Sequence, residues 1–270
     1  MAIKKDILRY DQSGAPICRF TIPNQTGDYV ELTNLGCKVS GIHIHKLDGF
    51  MENIAAASGC TLWSGSLGSC LSDKVWEIAE ESDNSVLLTF EFPAGENSFH
   101  VDLRLGLQVT WVNLDRLIVD YFITPKDNSL IDFETNLDIA NSSRAFYLRS
   151  FCPVVLRNSG EKCDVQGTEY RELDFVPLHD ADRFIHFDEE IKPMVELSDK
   201  DSALRISVYS TLPMIRTASL PDTLSIICSE DSSMELHAGE TLANRMIFGF
   251  DYIEDVNPDD TEPSPFTFFL

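Results

Sequence analysis

The side chains able to move a proton or grip a polar ligand are few in this 270-residue chain, and most fall in short, separated stretches. Residues 132–141, DFETNLDIAN, carry Glu134, Asn136 and Asp138 in an alternating strand pattern that sets Asp138 on the face opposite Thr135 and Leu137. Glu230, in IICSEDS, follows an apolar run. A carboxylate just past a buried strand can have its pKa raised toward that of a working base, whereas beside Asp231 it can equally be a charged loop residue. His43 and His45 share one face of a strand. Such a pair either binds a metal or another polar ligand or marks the solvent face of an edge strand. His186, in DRFIHFDEE, is a cleft residue or a surface-loop histidine. Arg104, Arg149, Arg157, Arg216 and Arg245 are the cations from which a basic pocket could be made, and Trp63, Trp76 and Trp111 are the rings that could stack on a ligand, with Trp111 completing an apolar stripe.

The elements that must position these groups read as strands. Residues 15–23 begin a β pattern, NQTGD at 24–28 turns the chain, and 29–35 and 39–44 alternate. Residues 52–72 are rich in Gly, Ser and Ala without a clean period, and read as a loop with short strand pieces. Val86, Leu88, Phe90 and Phe92 fall on one face. Leu103, Leu105, Leu107, Val109 and Trp111 form a stripe that Leu117, Val119, Tyr121 and Ile123 pair back against, a long antiparallel hairpin with one face buried. Further strands follow at 131–139, 144–156, 163–170, 204–208, 224–228 and 244–250. The segment 174–202 is mixed and acidic, with a helical turn at EEIKPM. The tail DYIEDVNPDDTEPSP, from 251, reads as a solvated extension or as an edge strand or clasp. Neither an amphipathic helix over three turns, nor a repeat, nor a linker interrupts this series. Short strands spaced by roughly 8–12 residues predict an all-β, large antiparallel β-sandwich in one domain, 1–270, with 251–265 as an acidic extension.

Bulk composition narrows the partners. Forty-four acidic residues against 21 basic ones give a net charge of −23, a surface that repels phosphate backbones and anionic headgroups and so predicts no nucleic acid and no membrane. The chain has no apolar run long enough to span a bilayer and no secretory h-region at its start. Seven scattered cysteines without CxxC spacing read as small buried hydrophobes in the cytoplasm, with no metal and no cofactor expected.

Several segments, in order, carry a resemblance. YVELTNLGCKVSGIHIHKLDG (29–49), KVWE (74–77), TNLDIAN (135–141), VQGT (165–168), ISVYSTLP (206–213) and Gly239-Glu240 ahead of a strand ending at Phe250 resemble the ordered motifs of the aldose 1-epimerases, the galactose mutarotase family. The resemblance covers about four-fifths of the chain, and ordered agreement carries more than any one motif. It implies a galactose mutarotase-like supersandwich and mutarotation of a free sugar. In that reaction an acid protonates the ring oxygen while a base takes the anomeric hydroxyl proton; the ring opens, C1–C2 rotates, and the steps reverse. By the same resemblance Glu230 takes the base position, but the acid histidine falls on Leu137, which has no proton to give. Residues 46–99 hold no histidine to match the family's second one. Its Asn-Arg pair has no match in 52–72, where Ser66-Leu67-Gly68-Ser69 stands, and its later Asp corresponds to Asp180 or Asp182. The expectation is a small-molecule sugar held by Asn136, Asp138, His186 and Arg149, with anomer exchange from a rearranged acid–base site. The alternatives are a non-catalytic carbohydrate-binding or regulatory relative, or an interaction module using 52–72 or the acidic tail.

Overall fold

The structure, a computed structural model, describes residues 2–95, 99–112, 116–140, 146–150, 155–156, 162–163, 168–169, 176–177, 195–199, 203–212, 214–220, 223–229 and 233–252. In chain order the strands are β1 Lys4–Tyr10, β2 Pro16–Pro23, β3 Tyr29–Thr33, β4 Lys38–His45, β5 Met51–Asn53 and β6 Cys60–Thr61. One helix among the described residues, α1 Gly65–Leu71, precedes β7 Glu77–Glu81, β8 Ser85–Phe92, β9 Leu103–Val112, β10 Arg116–Pro125, β11 Ser129–Ile131, β12 Glu134–Ala140 and β13 Phe146–Ser150. Short strands follow: β14 Val155–Leu156, β15 Lys162–Cys163, β16 Thr168–Glu169 and β17 Val176–Pro177. The series ends with β18 Val195–Asp199, β19 Leu204–Ser210, β20 Met214–Leu220, β21 Thr223–Ser229, β22 Met234–Leu236 and β23 Leu242–Tyr252.

Every strand pairing among the described residues is antiparallel. The large sheet has nine strands in the order β16-β13-β18-β19-β23-β10-β9-β8-β7. The hairpin expected from the period-two stripe lies at its middle, with Leu105 opposite Ile123, Leu107 opposite Tyr121 and Val109 opposite Val119. These side chains are buried because alternation sends every second one to the same face. Against that face pack two further sheets, β1-β2-β3-β4-β5 with β6 on β4, and β12-β21-β20-β17. One core draws on all three, for example Phe20 and Val30, Leu105 and Leu107, and Leu137 and Ile226. A fully buried side chain of this size contributes about 1.5–3 kcal/mol through its removal from water.

Residues 54–64 join the two smaller sheets. Ile54 N donates to Ile42 O and β6 pairs with β4 at Lys38 and Val39, while Ala56 N and Ser64 N donate to Asp138 O and Glu134 O of β12. The stretch read as a loop is therefore a seam, followed by the two-turn helix α1. The sequence hid that helix because Gly and Ser are poor helix formers; its one helical signal is the spacing of Leu67, Cys70 and Leu71, all buried. Several strands also went unread, among them β1, β20 and β22, and with them β17 and β18, which lie in the segment 174–202 read as loop-like. β1 is exposed on both faces, so no apolar alternation marks it. The last strand runs on through Asp251 and Tyr252, whose Oη donates to Glu52 at 2.5 Å, so the proposed tail starts inside β23; residues 253–270 lie outside the described residues. The helical turn expected at EEIKPM also lies outside them. No helix among the described residues is long and apolar enough to cross a membrane.

Candidate functional site

Strand β12 decides which side of the sheet can meet a ligand. Its burial alternates without a break. Thr135, Leu137 and Ile139 are 0–1% exposed, as are Leu224, Ile226 and Cys228, which lie directly opposite them on β21. Leu137 therefore faces the core, packed opposite Ile226, and not a cleft. The even-numbered residues Glu134, Asn136, Asp138 and Ala140 form the other face and are half-buried, with Ser225 and Ile227 beside them. The alternation expected from the sequence holds, and it reverses the weight given to Asp138: the side it occupies is the side a ligand can reach.

On that face two side chains converge on one carboxylate oxygen. Asn136 Nδ2 donates to Asp138 Oδ1 at 3.1 Å, and Ser225 Oγ donates to the same oxygen at 2.6 Å from across the β12–β21 pairing. Asn136 Nδ2 also lies 3.5 Å from Cys60 Sγ, and the Cys60 thiol donates in turn to Thr61 O and Asn136 O. Burial pushes the Cys60 thiol well above its usual pKa, and the Asp138 carboxylate adds to the rise, so the sulfur stays protonated and is not a nucleophile. Asn136 Oδ1 is buried and accepts no hydrogen bond. Such an atom costs roughly 1–3 kcal/mol while it stays unpaired, and it is held in place because its own amide nitrogen is committed to Asp138.

The seam fixes β12 from its other edge. Asn136 N donates to Leu62 O and Ala140 N to Ile54 O, and isolated bridges pair Ala55 with Ile139 and Trp63 with Thr135. Gly65 sits beside Glu134 with φ +63°, and a Cβ there would lie 3.1 Å from Glu134 Oε2, so both backbone and space favour glycine. Neither Ser225 nor Cys60 was singled out from sequence. Cross-strand register alone brings Ser225 to Asp138, and the seam brings in Cys60 from 76 residues away from Asn136.

The other expected residues divide. Glu230 and His186, and Asp180 and Asp182 with them, lie outside the described residues; Glu230 directly follows Ser229, the last residue of β21, which pairs with Glu134. Arg149 belongs to β13 in the nine-stranded sheet, opposite Glu196 of β18, so its backbone is in a different sheet from Asn136 and Asp138. His43 and His45 do share a face, but β4 is not an edge strand, since β3 and β5 flank it. His43 stacks on Tyr29 with centroids 4.3 Å apart, and its Nε2 is 3.8 Å from Glu31; His45 Nδ1 is 2.5 Å from Asp28 Oδ1. Each imidazole thus has its own carboxylate, and no group of three metal-type ligands forms among the described residues. Trp63, Trp76 and Trp111 are at most 2% exposed and serve the core, Trp63 edge-on to Tyr121 and Phe133 at 5.2 and 5.6 Å.

No family model matches the chain, and no curated protein matches it by sequence. Solved structures do match. The GalM/aldose epimerase homologue from C. elegans has a TM-score of 0.69 and 11% identity, over 88% of this chain and all of its own. The galactose 1-epimerase from Lactobacillus acidophilus NCFM has a TM-score of 0.64 and 12% identity, over 93% of this chain and 99% of its own. A galactose mutarotase-like protein from Lactobacillus casei ATCC 334 gives 0.61 and 12%, over 86% of this chain and all of its own. At such identities the likeness establishes the architecture: this chain has the β-sandwich fold of the galactose mutarotase-like proteins.

Proposed function

We propose that the protein binds a free aldose on the open face of β12 and β21, and that it acts on it as an aldose 1-epimerase with a rearranged acid–base site. The observation that carries the reading is the buried, unfilled acceptor Asn136 Oδ1 beside the Asp138 carboxylate, on the accessible face of a fold shared with an aldose epimerase homologue and a galactose 1-epimerase. A sugar hydroxyl supplies the donor that Oδ1 lacks and a second donor to Asp138. In this reading Glu230, just past β21, takes the anomeric proton as base, solvent water gives one to the ring oxygen, and Asn136 and Asp138 hold the sugar hydroxyls. The C1–O5 bond breaks as the aldehyde forms, the C1–C2 bond rotates, and the reverse steps close the other anomer. Arg149 and His186 remain candidates for holding the sugar. The free cysteines among the described residues, all buried, fit a reducing compartment, and the cytoplasm is the location proposed.

The test has two parts. Titration of the full chain with glucose and galactose is expected to give saturable binding that Asn136→Leu abolishes. Exchange spectroscopy on the same sugars is expected to show anomer interconversion above the buffer rate. Absence of saturable binding in the unaltered chain, or binding that survives Asn136→Leu, overturns the site. Binding with exchange at the buffer rate selects the second reading, a non-catalytic carbohydrate-binding relative. That reading is favoured by Leu137 facing the core and by the lack of any histidine within β12 or β21.

A further inference from the structure

A second polar cleft opens away from β12. It has a volume of about 670 Å³ and runs between the end of β1 with the turn that follows it and the stretch 73–75 that leads into Trp76. Its floor is apolar: Ile17 of β2, Leu35, Val75 and Phe90 of β8. Phe90 packs on the Trp76 ring with centroids 5.7 Å apart, and an isolated bridge pairs Leu35 with Val75. At the mouth stand Arg9 and Lys74, Asp11 and Asp73, two charges of each sign, with Tyr10 and Gln12 between them.

The groups at the mouth differ in what they already do. Asp11 is spent on its own turn, accepting from Ser13 N, Ser13 Oγ and Ala15 N. Arg9, Tyr10, Gln12 and Asp73 have no side-chain hydrogen bond or ion pair among the described residues, and Tyr10 is 62% exposed. An apolar floor, an available phenol ring and unengaged donors and acceptors of balanced charge fit one ligand chemistry: a neutral ring with an apolar face and a hydroxylated edge. The size lies within the roughly 300–1,000 Å³ typical of small-molecule sites. A peptide strand fits less well. The open edge of β1 is broken by a bulge between Ile7 and Arg9 and carries Lys4, Lys5 and Arg9, features that blunt an edge against strand addition.

We infer that this cleft is a saccharide-binding subsite in which Tyr10 and the apolar floor take the face of a pyranose and Arg9, Gln12 and Asp73 take its hydroxyls. It shares no residue with the β12–β21 face, so each stands or falls alone.

The experiment follows backbone amides of the full chain by NMR during addition of maltose, lactose and cellobiose to about 10 mM, some tenfold above a millimolar Kd. Saturable shifts at 9–12 and 73–75 are expected with at least one disaccharide. Tyr10→Ala is expected to weaken them about tenfold, while Asp138→Asn leaves them unchanged. Both Tyr10 and Arg9 are exposed, so superposable spectra elsewhere will show that the variants fold. No saturable shift in these two segments, or shifts that persist at full strength in Tyr10→Ala and Arg9→Ala, overturns the subsite. Shifts confined to 134–140 and 223–229 also overturn it, while supporting the other face.

Discussion

Two clusters in this molecule are built from the same parts, an asparagine, an aspartate and a hydroxyl, and differ in whether they are finished. In the β2–β3 turn, Asn24 Oδ1 accepts from Thr26 N, Thr26 Oγ1, Gly27 N and Asp28 N, and Asn24 Nδ2 donates to Asp28 Oδ2. Asp28, 3% exposed, then ties the turn to β4 by accepting from His45 N at 2.8 Å and facing His45 Nδ1 at 2.5 Å. On β12, Asn136 and Asp138 bond to each other and to Ser225, yet Asn136 Oδ1 is left buried with nothing to accept. A closed network of this kind rigidifies a turn, whereas an open one keeps an unmet demand for a donor. The difference teaches where to look: the closed cluster braces the fold, and the open one is the candidate place for a ligand.

Substitutions can break this contrast, and the largest effect concerns which side of β12 is open. Leu137→His places an imidazole in a fully buried site opposite Ile226. It is expected to cost about 4 kcal/mol, the lost burial plus an unsatisfied polar group, and not to supply a proton donor. Urea unfolding measures the first part and anomer exchange the second. Unchanged stability with faster exchange would reverse the assignment of faces. Next comes Asp28→Ala, which strands the donors of the closed cluster and is expected to cost about 3 kcal/mol while leaving sugar binding on β12 intact. A loss of sugar binding without loss of stability would show that the β2–β3 turn is a site rather than a brace. Asn136→Leu should do the opposite, changing stability by within about 1 kcal/mol, because the unmet acceptor goes together with its few bonds, and removing sugar binding. Equal damage from both variants would erase the distinction.

The sequence made the sandwich visible but showed its site only in part, for physical reasons. The β9–β10 hairpin announced itself because one face of each strand is wholly apolar, and β12 showed its two faces through the same alternation. β1 did not, since it lies exposed on both sides. Residues 54–64 carry no period because each residue there answers to two sheets at once, through backbone bonds to Ile42 on one side and Asp138 on the other. The motif TNLDIAN pointed to β12, while the emphasis on Leu137 followed motif position and not packing. Alternation already placed Asp138 opposite Leu137, but nothing local said which side was the core. That choice is made by the rings that fill the interior, Tyr121 from β10, Trp63 from the seam and Phe133 just before β12. Ser225 and Cys60 became legible only with register.

The smallest expected effect sharpens the contrast from the side of the closed region. His43 is packed on Tyr29, and burial holds its pKa below the ordinary 6.5, opposed by the Glu31 carboxylate. The charged or polar groups that face it are Glu31 with its partner Arg19, Tyr29, and on its own and the next strand His45 and Asn53. With the folded-state pKa depressed, the unfolded chain binds more protons just below pH 6.5, so this contribution to stability is fully present above that pH and declines as the pH falls toward the folded-state value. Unfolding followed across this window is expected to show a shallow loss that His43→Gln removes. An identical slope in His43→Gln would mean that the proton uptake belongs elsewhere, and a rise in stability toward acid would mean that Glu31 outweighs burial and that the pair is an ion pair rather than a packed, neutral ring.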